Sequence, residues 1–178
     1  MILLFLAEGF EEIEAIATID VLRRAEIDIK TVGIGGKVIE GAHGIKVTAD
    51  YNIDNLPNEK IEGTILPGGM PGTLNLEKNE KVKELLTYTY NNGLLTAAIC
   101  AAPSILGHMG FLKGKKATCY PGFETELEGA EYTGEPVTVS ENIITGNGPG
   151  SAISFGGEIV TFLKDSKTAE EVLSGMQY

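Results

Sequence analysis

Cysteine, histidine and basic residues are all scarce in this sequence. Two cysteines in 178 residues cannot make a disulfide framework, which predicts a reducing compartment, the cytoplasm. Lysine and arginine number 14 against 25 aspartates and glutamates, and the net charge of -11 argues against a stable complex with nucleic acid or an anionic membrane. The two histidines, His43 and His108, offer too few ligands for a zinc site, so we expect no metal.

Long hydrophobic runs and nucleotide-binding motifs are absent as well. No stretch approaches the ~20 consecutive apolar residues that a membrane-crossing helix needs. The apolar residues 1–6 lack a basic start and run directly into Glu8, which predicts a strand and not a signal peptide. The glycine-rich residues 146–150 lack the lysine of a P-loop and the spacing of G-x-G-x-x-G. We therefore expect no nucleotide and no other cofactor.

What the sequence does contain is an alternation of apolar strands and helices that fits one domain over residues 1–178. In the first predicted helix, Ile13, Ala17 and Val21 form the stripe expected to face the core. This alternation predicts an α/β fold with a mostly parallel sheet that is covered on both faces. The main strands are predicted at 2–6, 29–34, 63–66 and 94–99, with an edge strand at 45–48 and short segments at 116–118, 137–139 and 143–145. The helices are predicted at 11–25, 80–92, 103–109, 150–163 and 168–174.

Four unusual loops follow predicted strand ends. They are residues 8–14, residues 67–72, the turn at Cys100, and residues 146–150. Because ligands of parallel sheets bind beyond the carboxyl ends of the strands, these loops predict a site at one edge of the sheet.

Cys100 lies where a buried strand is predicted to turn sharply into a helix. The apolar residues 94–99 end at the cysteine, and Pro103 suits the first turn of a helix, where its missing N–H costs nothing. The same layout exposes the serine of a nucleophile elbow, and the positive end of the helix dipole favours a thiolate. The alternative is that Cys100 is a small buried packing residue.

Gly68 and Gly69 follow another predicted strand, in the sequence Leu66-Pro67-Gly68-Gly69. Consecutive glycines let backbone N–H groups point at a negative charge, as they do in an oxyanion hole. The alternative is an ordinary glycine-rich exit from a strand.

Taken together, the Cys100 turn, the Leu-Pro-Gly-Gly segment and Glu11-Glu12-Ile13-Glu14 resemble the ThiJ/PfpI superfamily, and within it the DJ-1-like branch. The likeness extends to residues 20–25 and 148–150 and so covers nearly the whole chain. The resemblance implies a flavodoxin-like three-layer sandwich of the class I glutamine amidotransferase type, and a homodimer. It also implies a reactive Cys100, a partner carboxyl at Glu14 and an oxyanion pocket built from the amides of Gly69 and Ala101.

The implied Glu14–Cys100 pair is chemically reasonable. A carboxylate and a thiolate side by side repel each other, so the pair is expected to share one proton. A protonated Glu14 that donates to a Cys100 thiolate would stabilise the anion and serve as a general acid or base. Glu14 is expected to be partly buried. The alternative is that Glu11, Glu12 and Glu14 only favour a helix N-terminus.

Two departures from the superfamily patterns narrow the range of expected activities. The peptidase-like branch has a histidine directly after the nucleophile, and Ala101 stands there, which disfavours a peptidase or amidase. The DJ-1-like branch has a histidine before the proline that is Pro121 here, and Tyr120 takes its place. We expect Tyr120 to orient a substrate through its hydroxyl group.

A wider set of residues is expected to line the substrate: Gly68, Tyr120, Pro121, Gly148, and His43, the last by reaching the site across a dimer. His108 is expected to point away from the helix start and to be structural. Cys119 is expected to be a packing residue, with a second oxidisable thiol as the alternative.

Two functions of different classes follow. The first is a cofactor-free enzyme in which Cys100 attacks a small reactive aldehyde such as methylglyoxal, or an early adduct of such an aldehyde, making the protein a glyoxalase or deglycase. The second is an oxidative-stress sensor or redox-regulated chaperone in which Cys100 is oxidised to a sulfinate.

Overall fold

Seven of the strands form one central sheet in a computed structural model that describes residues 1–178. The strands are β1 (Ile2–Leu6), β2 (Ile29–Gly33), β3 (Val38–Glu40), β4 (Lys46–Thr48), β5 (Tyr51–Asn52), β6 (Gly63–Leu66), β7 (Leu95–Ile99), β8 (Lys116–Ala117), β9 (Glu131–Tyr132), β10 (Val137–Ser140) and β11 (Ile143–Gly146). The helices are α1 (Glu12–Arg24), α2 (Gly72–Glu77), α3 (Glu80–Asn91), α4 (Pro103–His108), α5 (Ala152–Leu163) and α6 (Ser166–Gly175).

The central sheet is parallel except at one edge. Its strand order is β10-β11-β7-β6-β1-β2-β5, and only β10 pairs antiparallel to its neighbour. This confirms the predicted α/β fold with a mostly parallel sheet. The carboxyl ends of β1, β6, β7 and β11 therefore meet at the same edge.

Helices cover both faces of the sheet. Successive side chains of β1 point to opposite faces and therefore enter two separate cores. Leu4 and Leu6 join one core with residues of α1, α5 and α6. Leu3 and Phe5 join a second core with residues of α2, α3 and α4. The result is the predicted three-layer sandwich. No helix in the structure combines the length and the apolar character that a membrane crossing would require.

Two of the local predictions were wrong. Ile13 was expected on the buried stripe of α1, but it is 58% exposed, and the helix instead buries Glu14, Thr18 and Val21. Residues 45–48 were expected at the edge of the sheet. Lys46–Thr48 pairs instead with Val38–Glu40 in a separate antiparallel hairpin, which main-chain bonds tie to Gly9 and Phe10 just before α1.

Candidate active site

Cys100 occupies a strained turn between β7 and α4. Its φ angle is 67°, in the left-handed region that residues with a side chain rarely adopt. Its N–H donates to the carbonyl of Gly146 at 2.9 Å, and its own carbonyl accepts from the N–H of Tyr120 at 2.8 Å. Two neighbouring loops therefore fix the turn, which leaves the cysteine 9% exposed at the carboxyl edge of the sheet.

Gly68 and Gly69 pack against Cys100 so closely that neither position can hold a side chain. A Cβ atom on Gly68 would lie 2.6 Å from the Cys100 Cβ and 2.9 Å from Glu14 Oε2. Gly69 has a φ of 90°, and a Cβ there would lie 2.4 Å from the nitrogen of Glu11. The carbonyl of Gly68 accepts from that same nitrogen at 2.9 Å. The glycines thus join the cysteine turn to the start of α1.

Glu14 is completely buried beside the cysteine, which is deeper than the partial burial expected from the sequence. Its Oε2 accepts from the N–H of Gly68 at 2.7 Å. Its Oε1 is buried without a partner in hydrogen-bond geometry, and the thiol of Cys100 interacts with the same carboxyl. Because desolvation makes a lone buried carboxylate costly, this arrangement favours a carboxyl that holds a proton.

The electrostatics of Glu14 and Cys100 are coupled. Burial raises the pKa of Glu14 to about 7, against the opposing effects of Cys100 and the Gly68 N–H, and the charge of Glu11 raises it further. Burial, followed by the charge of Glu14, raises the pKa of Cys100 to about 12. The pair therefore loses its first proton near neutral pH and keeps the second far above it.

Two backbone N–H groups oppose the rise in the pKa of Cys100. The N–H groups of Ala101 and Gly69 face the Cys100 side chain and lower its pKa. When the shared proton lies on Glu14, that side chain is neutral and does not repel a thiolate at Cys100. The two amides still stabilise the thiolate. The amides named from the sequence thus lie at the sulfur.

Tyr120 and Gly148 lie next to the cysteine turn on its other side. The main-chain bond from Tyr120 to Cys100 places this residue at the site, and its side chain is 46% exposed. A Cβ atom on Gly148 would lie 3.1 Å from the Tyr120 ring, so a side chain there would displace the ring. Pro121 follows on the exposed surface. Tyr120 and Gly148 are thus next to each other near Cys100, and the role of these two residues and Pro121 in lining a substrate stays a prediction.

His43 makes its contacts with Glu11 and Glu12 of its own chain. Its Nδ1 lies 2.9 Å from Glu12 Oε2 and 3.6 Å from Glu11 Oε2, while its N–H donates to Glu12 Oε1 at 2.7 Å. The side-chain nitrogen and oxygen atoms of these three residues lie within 4.8 Å of one another. The expected reach of His43 across a dimer stays a prediction.

Glu12 is a residue whose role the sequence did not reveal. Burial opposes its ionisation, but hydrogen bonds from His43 and Ile45 lower its pKa below the usual value. Its side chain fills the space beside Gly41, where a Cβ atom would lie 2.3 Å from the carboxyl. An acidic residue followed some 30 positions later by Gly-Ala-His-Gly was the only signal available.

His108 and Cys119 take no part in the site. His108 bridges Glu77 and Glu126, with its Nδ1 at 2.5 Å and its Nε2 at 2.9 Å from their carboxylates. Cys119 is fully buried in the core on the opposite face of the sheet from α1, and burial raises its pKa to about 12. Both positions agree with the structural interpretation.

Comparison with known proteins decides the family. The pattern of the DJ-1/PfpI family matches residues 1–162. The chain belongs to the DJ-1/PfpI family. Protein DJ-1 homolog B of Arabidopsis thaliana is 35% identical over 174 residues, which are 96% of this chain, although the chain spans only 40% of that protein.

Two other members of the DJ-1/PfpI family match over most of their length. The glutathione-independent glyoxalase DJR-1.2 of Caenorhabditis elegans is 31% identical over 168 residues, 93% of this chain and 89% of that protein. The structure of oxidized Toxoplasma gondii DJ-1 superposes with a TM-score of 0.95 at 32% identity, covering 99% of this chain and 97% of the other.

Proposed function

We propose that this DJ-1/PfpI protein is a cofactor-free enzyme that acts on reactive aldehydes such as methylglyoxal, or on their early adducts with amines and thiols. The observation that carries the proposal is the buried Glu14 carboxyl beside the Cys100 thiol, with two backbone N–H groups at the sulfur. A relative that bears the name glutathione-independent glyoxalase supports it.

The first step uses Cys100 as a nucleophile. The thiolate, left when Glu14 holds the shared proton, attacks the aldehyde carbon and forms a carbon–sulfur bond as the carbonyl electrons move to oxygen. The N–H groups of Gly69 and Ala101 stabilise this oxyanion. Protonation by Glu14 gives a neutral hemithioacetal.

The later steps need a proton carrier and no external oxidant or reductant. Glu14, now a carboxylate, takes the proton from the former aldehyde carbon and returns it to the neighbouring ketone carbon, while the hydroxyl proton of the hemithioacetal moves to the ketone oxygen. The first carbon is thereby oxidised to a thioester and the second reduced to an alcohol. Water then cleaves the thioester, releasing lactate and restoring the Cys100 thiol.

Tyr120, Pro121 and Gly148 are proposed to shape the space above the sulfur. Tyr120 replaces a histidine of the DJ-1-like branch, and its hydroxyl group would orient the substrate by a hydrogen bond. Gly68 contributes by leaving room for the thiol and the carboxyl to meet.

The test is lactate production from methylglyoxal by the purified protein, with both lactate enantiomers quantified. Steady turnover without added glutathione or metal supports the proposal. A rate equal to that of the buffer, from protein whose Cys100 is verified as reduced, contradicts it.

A redox function is the second candidate, favoured by the two amides at the sulfur. A Cys100 sulfinate would accept hydrogen bonds from both amides and from a protonated Glu14. Mild peroxide should therefore add two oxygens at Cys100, consuming two peroxides and releasing two waters. Intact mass and peptide mapping should show a lower sulfinate yield in Glu14→Gln. Oxidation spread over the methionines, with Cys100 unchanged, contradicts this function.

A homodimer is also proposed, on the basis of an apolar surface beside the site. Ile13 and Ile16 of α1 are 58% and 44% exposed, and Val38 and Ile45 near the hairpin are 58% and 57% exposed. The N–H of Ile45 donates to Glu12, which brings the two elements together. Contact with a second copy would remove this apolar area from water.

A further inference from the structure

The five loop segments that surround Cys100 at the carboxyl edge of the sheet carry four glutamates and no lysine or arginine. We infer that the site at Cys100 selects its substrates by charge: it accepts uncharged and cationic carbonyl compounds and rejects those that bear a carboxylate or a phosphate. The identification of the ligands as carbonyl compounds rests on the proposed function, whereas the charge selection at Cys100 is measurable without turnover.

The lack of basic residues holds for every loop that surrounds the sulfur. A site built for an anionic substrate group generally offers it an arginine or a lysine. None occurs in the five segments at this edge: residues 7–14, 67–72, 100–103, 118–123 and 146–150.

Two of these glutamates, Glu14 and Glu11, belong to the surroundings of the cysteine turn. Glu14 is in contact with it, and the nitrogen of Glu11 donates to the carbonyl of Gly68 at 2.9 Å, directly beside the turn. The charge of Glu11 is felt at Glu14, whose pKa it raises. Glu8 adds an exposed carboxylate at the start of the same loop.

The cations that approach this edge from the β3–β4 hairpin are already paired. His43 lies between the carboxylates of Glu12 and Glu11, at 2.9 and 3.6 Å, so a charged imidazole offsets only one of them. Lys46 pairs with Glu40 at 3.4 Å. The potential at the mouth of the site is therefore negative, in keeping with the net charge of -11.

An anionic substrate would place two negative groups in this field. The amides of Gly69 and Ala101 can stabilise one of them, the oxygen that becomes anionic when the sulfur attacks. A carboxylate or phosphate elsewhere on the molecule finds no lysine or arginine in the segments around the sulfur. A neutral carbonyl compound carries no such penalty, and a guanidinium or ammonium group on a glycated side chain gains attraction.

The experiment compares two alkylating agents of nearly the same shape, neutral iodoacetamide and anionic iodoacetate. In both reactions the sulfur attacks carbon and iodide leaves. The ratio of the two rate constants at Cys100, mapped by peptide mass, is divided by the same ratio for 2-mercaptoethanol. At low salt we expect a preference for iodoacetamide of about tenfold, which falls towards one at about 0.5 M NaCl because salt screens exposed charges.

Matched variants identify the source of the field. Glu11→Gln keeps the size of the side chain and removes its charge, so the preference should fall about threefold. Glu171→Gln removes a carboxylate on α6, near Arg24 and Lys164 at the opposite edge, and should leave the preference unchanged. A corrected ratio near one at low salt, or a ratio that does not respond to salt or to Glu11→Gln, overturns the inference.

Measuring methylglyoxal consumption beside the alkylation ratio distinguishes failure of this inference from failure of the proposed function. If methylglyoxal is not consumed but iodoacetamide is still preferred, the charge selection stands and the enzyme proposal fails. If methylglyoxal is consumed while the alkylation ratio is near one, the enzyme proposal stands and the charge selection fails.

Discussion

Replacing Cys100 with alanine is expected to lower the rate of lactate formation from methylglyoxal by at least about 10³-fold. The carbon–sulfur bond of the first step cannot form without the thiol, and the amides of Gly69 and Ala101 have no anion to stabilise until an oxyanion appears. The measurement is kcat/KM from lactate release, for wild-type protein and Cys100→Ala prepared in parallel.

The matched control for Cys100→Ala removes the other thiol. Cys119 is fully buried in the opposite core, so Cys119→Ala should cost about 1 kcal/mol of stability and leave kcat/KM within about twofold of wild type. Turnover that survives Cys100→Ala, in a variant with the wild-type circular dichroism spectrum, would show that the chemistry lies elsewhere.

A methyl group added at Gly68 is expected to be the next most damaging change after loss of the thiol. The new Cβ would lie 2.6 Å from the Cys100 Cβ and 2.9 Å from Glu14 Oε2, so Gly68→Ala must push the thiol and the carboxyl apart. A displacement of this size costs about 10²-fold in turnover. Overpacking should also lower the free energy of unfolding by about 1–3 kcal/mol, measured by urea denaturation.

Gly150 supplies the control for Gly68→Ala. It lies in a neighbouring loop, is exposed, and has open space where a Cβ would be. Gly150→Ala should therefore keep both turnover and stability, the latter within about 0.5 kcal/mol. A Gly68→Ala enzyme that works at the wild-type rate would mean that the close contact of Cys100 with Glu14 is not needed.

The turn at Cys100 was predictable because its signals are local. An apolar strand, a cysteine and a proline three residues later specify where the strand ends and the helix begins, and the structure has β7 ending at Ile99 and α4 beginning at Pro103. The φ of 67° at Cys100 agrees with the sharp turn expected of a nucleophile elbow.

The full burial of Glu14 was not predictable from the periodicity of α1. A carboxyl is assigned to solvent by its chemistry, and Ile13 to the core, yet their exposures are 0% and 58%. The cause is non-local: the N–H of Gly68, 54 residues away, satisfies the carboxyl inside the protein. Only the resemblance to the superfamily indicated Glu14, because a family pattern carries tertiary information that a single sequence does not.

The β3–β4 hairpin and its tie to α1 were missed for the same reason. The bonds that place it are the pairing of Ala42 with Phe10, of Gly9 with Glu40 and of His43 with Glu12. Each joins residues about 30 positions apart. A short strand with few apolar residues carries no information about which partner it will choose.

The central claim is that Glu14 and Cys100 share one proton, and the pH dependence of Cys100 alkylation tests it most directly. Because a thiolate exists only after the pair loses its first proton, iodoacetamide alkylation of the wild type should rise with pH, with a midpoint at about 7, and then level off. In Glu14→Gln the amide cannot hold that proton. Burial then keeps the thiol pKa above its usual value of about 8.5.

The variant should therefore show no step near pH 7, and its reaction should speed up only in the alkaline range, where the buried thiol itself ionises. Peptide mapping of Cys100 across the pH range, in wild type and Glu14→Gln side by side, gives both curves. The same midpoint in the two proteins would contradict the account, since the proton that controls the thiol would then not belong to Glu14.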